Sequence, residues 1–237
     1  MTPDDWLRLL SQHPVIAVIR VGDRPLGEHM AHVAAAAGIR LIEITWNSAD
    51  AARSICTLRR ELPDCFIGTG TVLDGSMLEG AIAAGAQFVF SPHTDAELIR
   101  TAIQQQVPMI PGALTPTEII TAWNAGAYSV KVFPVSTLGG ASYIRSLQGP
   151  LGHIPLIPTG GMTVQSAKDC LDAGAIAVGI SSHLFPKSLI DTNRWDIITE
   201  RAASLVTALT HRETPHPCPP VRTELNSAER DKHHLNV

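Results

Sequence analysis

The sequence predicts a single (β/α)8 barrel over residues 1–210, and three observations carry that expectation. Eight short apolar runs alternate with stretches long enough for a helix. Several of those stretches end on a glycine immediately before the next run. Finally, 45% of the chain is hydrophobic but only 5% aromatic, which implies a core of Ala, Val, Ile and Leu, as parallel strands buried on both faces require.

The eight strand candidates are PVIAVIR (14–20), IRLIEIT (39–45), CFIGTG (65–70), QFVFS (87–91), VPMIPG (107–112), YSVKVF (128–133), IPLIPTGG (154–161) and AIAVGIS (175–181). Their shortness and β-branched content make them strands, since periodicity alone does not separate a short buried strand from a buried helix. Gly38, Gly85, Gly126 and Gly174 suit the left-handed position that closes a helix and drops the chain straight back into the sheet. Helix starts are also marked. In Thr115-Pro116-Thr117-Glu118 a threonine cap, a proline at the first helical position and a glutamate at the third stand in order, and Thr94 with Asp95 precedes AELIRTAI. An open doubly wound sheet is the competing architecture, but G-x-G-x-x-G does not follow the first strand. From His211 onward the chain becomes rich in Pro, His and charge with no apolar period, which predicts a flexible tail over 211–237.

Composition also removes function classes. A net charge of −4 offers no basic surface for nucleic acid, and no apolar run approaches the roughly 18 residues of a membrane span. The acidic start, Met1-Thr2-Pro3-Asp4-Asp5-Trp6, lacks the features of a signal peptide, so a cytoplasmic protein is expected. Cys56, Cys65, Cys170 and Cys218 are scattered without C-x-x-C spacing and are expected to be reduced thiols. His29 and His32 share a helical face, but no third ligand stands at metal-binding spacing, so no metal is expected.

In a barrel of this kind the chemistry sits where strands run into their following loops. Those positions hold Arg20, Glu43 with Thr45, Thr69 with Thr71, Ser91-Pro92-His93, Pro111-Gly112, Lys131 with Phe133, Thr159-Gly160-Gly161 and Ser181-Ser182. Glu43 and Lys131 are ionisable groups inside apolar strands, where an unpaired charge costs several kcal/mol. Either they form an internal ion pair between the second and sixth strands, or they face a small cavity, the lysine as a nucleophile and the glutamate as a proton carrier. The Gly160-Gly161 turn and Ser181-Ser182 follow the seventh and eighth strands, the usual place of an anion site in such barrels.

Taken together, GIRLIEITW, IGTGTV, GAQFVFSPH, PMIPGALTPTE, VKVFP and PTGGM, in that order over residues 10 to 208, resemble the class I aldolases of 2-keto-3-deoxy-6-phosphogluconate (KDPG) and 4-hydroxy-2-oxoglutarate (KHG). The resemblance implies an aldehyde-lyase that splits a 4-hydroxy-2-keto acid into pyruvate and an aldehyde, glyceraldehyde 3-phosphate or glyoxylate, without metal or organic cofactor. It implies Lys131 as the Schiff-base lysine and Glu43 as general acid/base. It further implies Thr71, Pro92, Phe133 and Thr159 around the keto acid, Gly160, Gly161 and Ser182 at its distal anionic group, Arg20 at an anionic end, and a homotrimer. One position departs: where sugar-acid phosphate aldolases of this group often carry Glu-x-Thr-x-Arg, Asn47 stands in place of the arginine, and a neutral amide makes no bidentate ionic contact. A phosphate-binding isomerase or lyase without a Schiff base, and a barrel that only binds small anions, are the alternatives.

Overall fold

The computed structural model describes residues 1–210, so the expected tail, with Cys218, lies outside the described residues. Every apolar run contains a strand: β1 (Val15–Ile19), β2 (Leu41–Thr45), β3 (Phe66–Gly70), β4 (Val89–Phe90), β7 (Val130–Val132), β8 (Leu156–Pro158) and β9 (Val178–Ile180). The fifth run is split into β5 (Met109–Ile110) and β6 (Gly112–Ala113) by Pro111, which has no N–H to offer a ladder. Pairing is parallel throughout, in one arc β5-β4-β3-β2-β1-β9 and another β6-β7-β8. The arcs meet through Pro111 at one seam and through a parallel bridge between Thr159 and Gly179 at the other, so the sheet closes on itself as a barrel.

Around it lie α2 (Arg24–Ala36), α3 (Ala51–Glu61), α4 (Gly75–Ala83), α5 (Ala96–Gln104), α6 (Pro116–Asn124), α7 (Ala141–Leu151), α8 (Val164–Asp172), the short α9 (Lys187–Asp191) and α10 (Trp195–Thr210). The four predicted helix-closing glycines all have positive φ, between 88° and 109°. Thr115 caps α6 in a reciprocal pair with Glu118, as its sequence predicts. Ahead of α5 the expectation holds for Asp95 alone, whose carboxylate accepts from the Glu97 and Leu98 amides; the Thr94 hydroxyl donates instead to the Gly112 carbonyl and ties the β4 loop to β6. No helix among the described residues is long and apolar enough to cross a membrane.

The strands alternate cleanly. Val15, Ala17, Ile19, Ile42, Ile44, Val130 and Val132 face outward to the helices in one large apolar cluster. Ile16, Val18, Leu41, Phe88, Phe90, Ile110 and Ile157 face inward and form a second cluster with α1 (Pro3–Gln12). This first helix closes the floor of the barrel. It starts with its own capping box, Thr2 with Asp5, and has Pro3 in its first turn. Trp6 and Leu10 are fully buried against the inward cluster, each leucine of that face contributing about 2 kcal/mol by leaving water.

Candidate active site

Strand parity decides what the interior holds. Because Val130 and Val132 point outward, Lys131 points inward, and because Ile42 and Ile44 point outward, Glu43 points inward as well. The two strands reach the interior from opposite arcs of the barrel. Lys131 lies in register between Gly112 and Ile157, and Glu43 between Val18 and Gly68. Glu43 is 2% exposed and Lys131 6%.

Room for the carboxylate comes from β3. A Cβ built on Gly70 would lie 1.8 Å from Glu43 Oε1 and 2.4 Å from its Cδ, so the glutamate lies directly over a backbone that carries no side chain. One layer lower, a Cβ on Gly68 would meet the ring of Phe88 at 2.4 Å. Two inward positions of β3 are thus empty of side chains, and neighbouring strands fill them with an aromatic ring below and an acid above.

Among the described residues no ion pair within 4.0 Å joins Glu43 to Lys131. Among the described residues neither side chain makes a hydrogen bond to another group, yet no fully enclosed side-chain nitrogen or oxygen there lacks a partner. Both polar ends therefore retain contact with the accessible space of the barrel mouth. Burial pushes the Lys131 amine below the ordinary lysine range, with the Glu43 charge opposing and the Arg20 charge adding to the effect. Burial pushes the Glu43 carboxyl up, opposed by Lys131 and Arg20. The amine sits 4.7 Å from the centroid of the Phe133 ring and 5.8 Å from that of Phe90. A lysine amine whose proton is held less tightly than usual, in the same interior as a carboxyl of raised proton affinity, is suited to adding to a carbonyl and passing protons to and from the adduct.

The other predicted positions follow the ends of the strands. Arg20, just past β1, is exposed, and its Nη2 donates to Thr71 Oγ1 at 3.1 Å. Thr71 has φ +62°, a left-handed conformation that costs a β-branched residue on the order of 1–3 kcal/mol, so strain is held at the barrel mouth. Pro92 follows β4, and its carbonyl abuts the Gly112 backbone so closely that a Cβ there would come within 2.3 Å. Thr159 is buried over Gly179, its Oγ1 2.7 Å from where a Cβ would stand. Gly160 and Gly161 have φ +95° and +67°, and Gly161 leaves room for the Ser136 hydroxyl, 2.3 Å from a would-be Cβ. Thr163 then caps α8. Ser182 is exposed in the turn after β9, the strand bridged to the end of β8.

Some strand-end residues are structural. Thr69 donates to the Ile44 carbonyl at 2.7 Å, and the Ser91 hydroxyl is 2.9 Å from His93 Nδ1. Thr45 Oγ1 contacts Ser48 Oγ at 3.0 Å, and Ser48 in turn accepts from the Val21 amide at 3.3 Å, linking the ends of β2 and β1. Asn47 is exposed on that turn. His29 packs edge-on against Trp195 with ring centroids 4.4 Å apart, and His32 Nε2 lies 3.2 Å from the Glu61 carboxylate. Among the described residues no group of three or more His, Cys, Asp or Glu could hold a metal ion. Gly70, Phe90, Ser136 and the α1 floor are not among the site positions that the sequence predicts. Only Gly70, a glycine inside a strand, and α1, with Thr2-Pro3 and Asp5, carried a local signal.

Comparison with known proteins gives the chain its family and its fold relatives. A family model described as KDPG and KHG aldolase matches residues 7–201. The 2-dehydro-3-deoxy-phosphogluconate aldolase of Dickeya dadantii is 31% identical over 203 residues, covering 86% of this chain and 95% of its own. The KHG/KDPG aldolase of Escherichia coli K12 is 30% identical, covering 84% and 93%. Among solved structures, KDPG aldolase from Legionella pneumophila, with pyruvate captured as a covalent carbinolamine intermediate, superposes with a TM-score of 0.79 at 27% identity, over 87% of this chain and 98% of that one. A family match over most of the chain, relatives covered almost end to end and a shared barrel lead to one assignment: the chain belongs to the KDPG and KHG aldolase family of aldehyde-lyases.

Proposed function

We propose that this protein is a class I aldolase that cleaves, reversibly, KDPG, KHG or both, with Lys131 as the Schiff-base lysine and Glu43 as the proton carrier. One observation carries the assignment: a buried lysine and a buried glutamate share the barrel mouth with no ion pair between them. The carbinolamine captured in the Legionella pneumophila relative supports the same chemistry.

In this mechanism the neutral Lys131 amine adds through its lone pair to the C2 ketone, and the hydroxyl of the resulting carbinolamine takes a proton from the Glu43 carboxyl and leaves as water, so that a cationic imine faces the Glu43 carboxylate. Glu43 takes the proton of the C4 hydroxyl. The C3–C4 bond breaks, its electrons flow into the imine nitrogen, and the C4 fragment leaves as an aldehyde. The enamine left on Lys131 takes a proton at C3 from Glu43, and hydrolysis of the imine releases pyruvate and restores the amine. Phe133 and Thr159 flank the bound keto acid, with Thr71 and Pro92 at its rim. Asn47 makes no ionic grip, so the distal anion rests on Arg20, on the Gly160-Gly161 backbone and on Ser182. The chain works in the cytoplasm as a homotrimer. Its likeness to part of a designed cage built by fusing symmetric oligomeric domains, at TM-score 0.75, supports a symmetric assembly, and sedimentation that returned a monomer would exclude one.

Borohydride reduction in the presence of pyruvate, followed by peptide mapping, tests the lysine: the reduced pyruvyl adduct is expected on Lys131. An adduct on another residue, or none, would remove Lys131 from the mechanism.

A further inference from the structure

The underside of Lys131 is closed by a column of rings that starts in α1. Trp6, fully buried in the floor helix, donates from Nε1 to the Ser129 hydroxyl at 3.0 Å, and Ser129 is the inward residue of the β7 chain one layer below Lys131. Trp6 also packs on Phe88 with ring centroids 5.5 Å apart, and Phe88 meets Phe90 edge-to-face at 5.8 Å and 84°. Phe90 ends the column 5.8 Å from Lys131 Nζ, within cation–π range. Gly68 makes the column possible, because any side chain there would displace the Phe88 ring. Phe88 is wholly buried and Phe90 is 1% exposed, so the column is dry.

We propose that Phe90 is a positioning residue for Lys131: locked from below by Phe88, Trp6 and the Trp6–Ser129 hydrogen bond, its ring excludes water from the lower side of the amine and sets the pH range over which the Schiff base forms. The proposal rests on Lys131 being the reacting amine. The charged groups that act on Lys131 are Glu43 on β2 and Arg20 beyond β1. The inward positions that β3, β4, β5, β6 and β8 bring to this level are Gly70, Phe90, Ile110, Gly112 and Ile157, none of them ionisable. With the charges fixed by Glu43 and Arg20, dryness is the variable that the aromatic column controls.

The experiment is borohydride trapping of pyruvate as a function of pH, read as adduct at Lys131 by mass spectrometry, on the parent chain, Phe90→Leu and Phe90→Gln. Leucine keeps the underside apolar, and the pH at half-maximal trapping should stay with the parent. Glutamine brings a hydrogen-bonding group and water to the amine. It should raise that pH by about one unit, cutting trapping at neutral pH by about tenfold. If Phe90→Gln does not fold, Phe90→Tyr introduces a hydroxyl with the ring retained, and the same upward displacement is expected. A merely structural role would change the amount of folded protein and leave the midpoint where it was. The proposal is overturned if the polar variant keeps the parental midpoint, or if Phe90→Leu moves it as far. Failure of the parent to form an adduct at Lys131 would instead reject the assignment of the lysine.

Discussion

Gly70→Ala separates the position of the acid from its chemistry. Gly70 has no positive φ, so alanine is tolerated by the backbone, and the whole effect falls on what the new methyl meets. That group is the Glu43 carboxylate, with Oε1 1.8 Å from the Cβ position. To restore an ordinary contact the carboxylate must retreat by roughly 1.5–2 Å. As the tip of a side chain it can do so, and the overpacking should cost only about 1–3 kcal/mol of stability. A proton carrier moved by more than 1 Å, however, should lower kcat on the order of 100-fold. Lys131 is untouched, so borohydride should still trap pyruvate on it. The assay is therefore kcat for KDPG or KHG cleavage beside the trapped adduct, with thermal unfolding as a control. An unchanged kcat would refute the role given to the Glu43 position, and a loss of trapping equal to the loss of turnover would show that the acid is not what moved.

Lys131→Met should leave the fold as stable as the parent or more stable at neutral pH, measured by denaturant unfolding, whereas a buried ion pair would make it less stable by roughly 3–5 kcal/mol. The sign follows from linkage. With its proton affinity lowered on folding, Lys131 favours the folded state fully only above its unfolded value near pH 10.4, and that contribution is lost as pH falls through the folded value, so the variant's advantage should shrink toward alkaline pH. Among the described cysteines, Cys56 is exposed while Cys65 and Cys170 are buried, and burial pushes the Cys170 thiol up to about 11. A thiol reagent at neutral pH should accordingly label Cys56 in the native protein and reach Cys170 only after unfolding; equal native labelling would contradict the burial.

What the sequence discloses and what it conceals divide along a physical line. The eight runs are legible because a strand buried on both faces must be continuously apolar, and the helix ends because a left-handed turn selects glycine. Glu43 and Lys131 are legible for the opposite reason: each violates the composition its strand demands, and such a violation has to be compensated or used. Which of the two applies is a matter of distance between β2 and β7, and no local pattern encodes it. The same holds for Phe90, whose alternation in QFVFS fits any strand, and for Trp6, whose hydrogen-bond partner Ser129 is 123 residues away. Gly68 and Gly70 are intermediate cases. A glycine in a strand announces that something approaches closely, but only the closed barrel shows that a ring approaches one and an acid the other. The third strand, which contributes no side chain at these two inward positions, thereby fixes both the dry floor beneath the amine and the place of the group that moves its protons. Catalytic placement here depends as much on where side chains are omitted as on where charges are supplied.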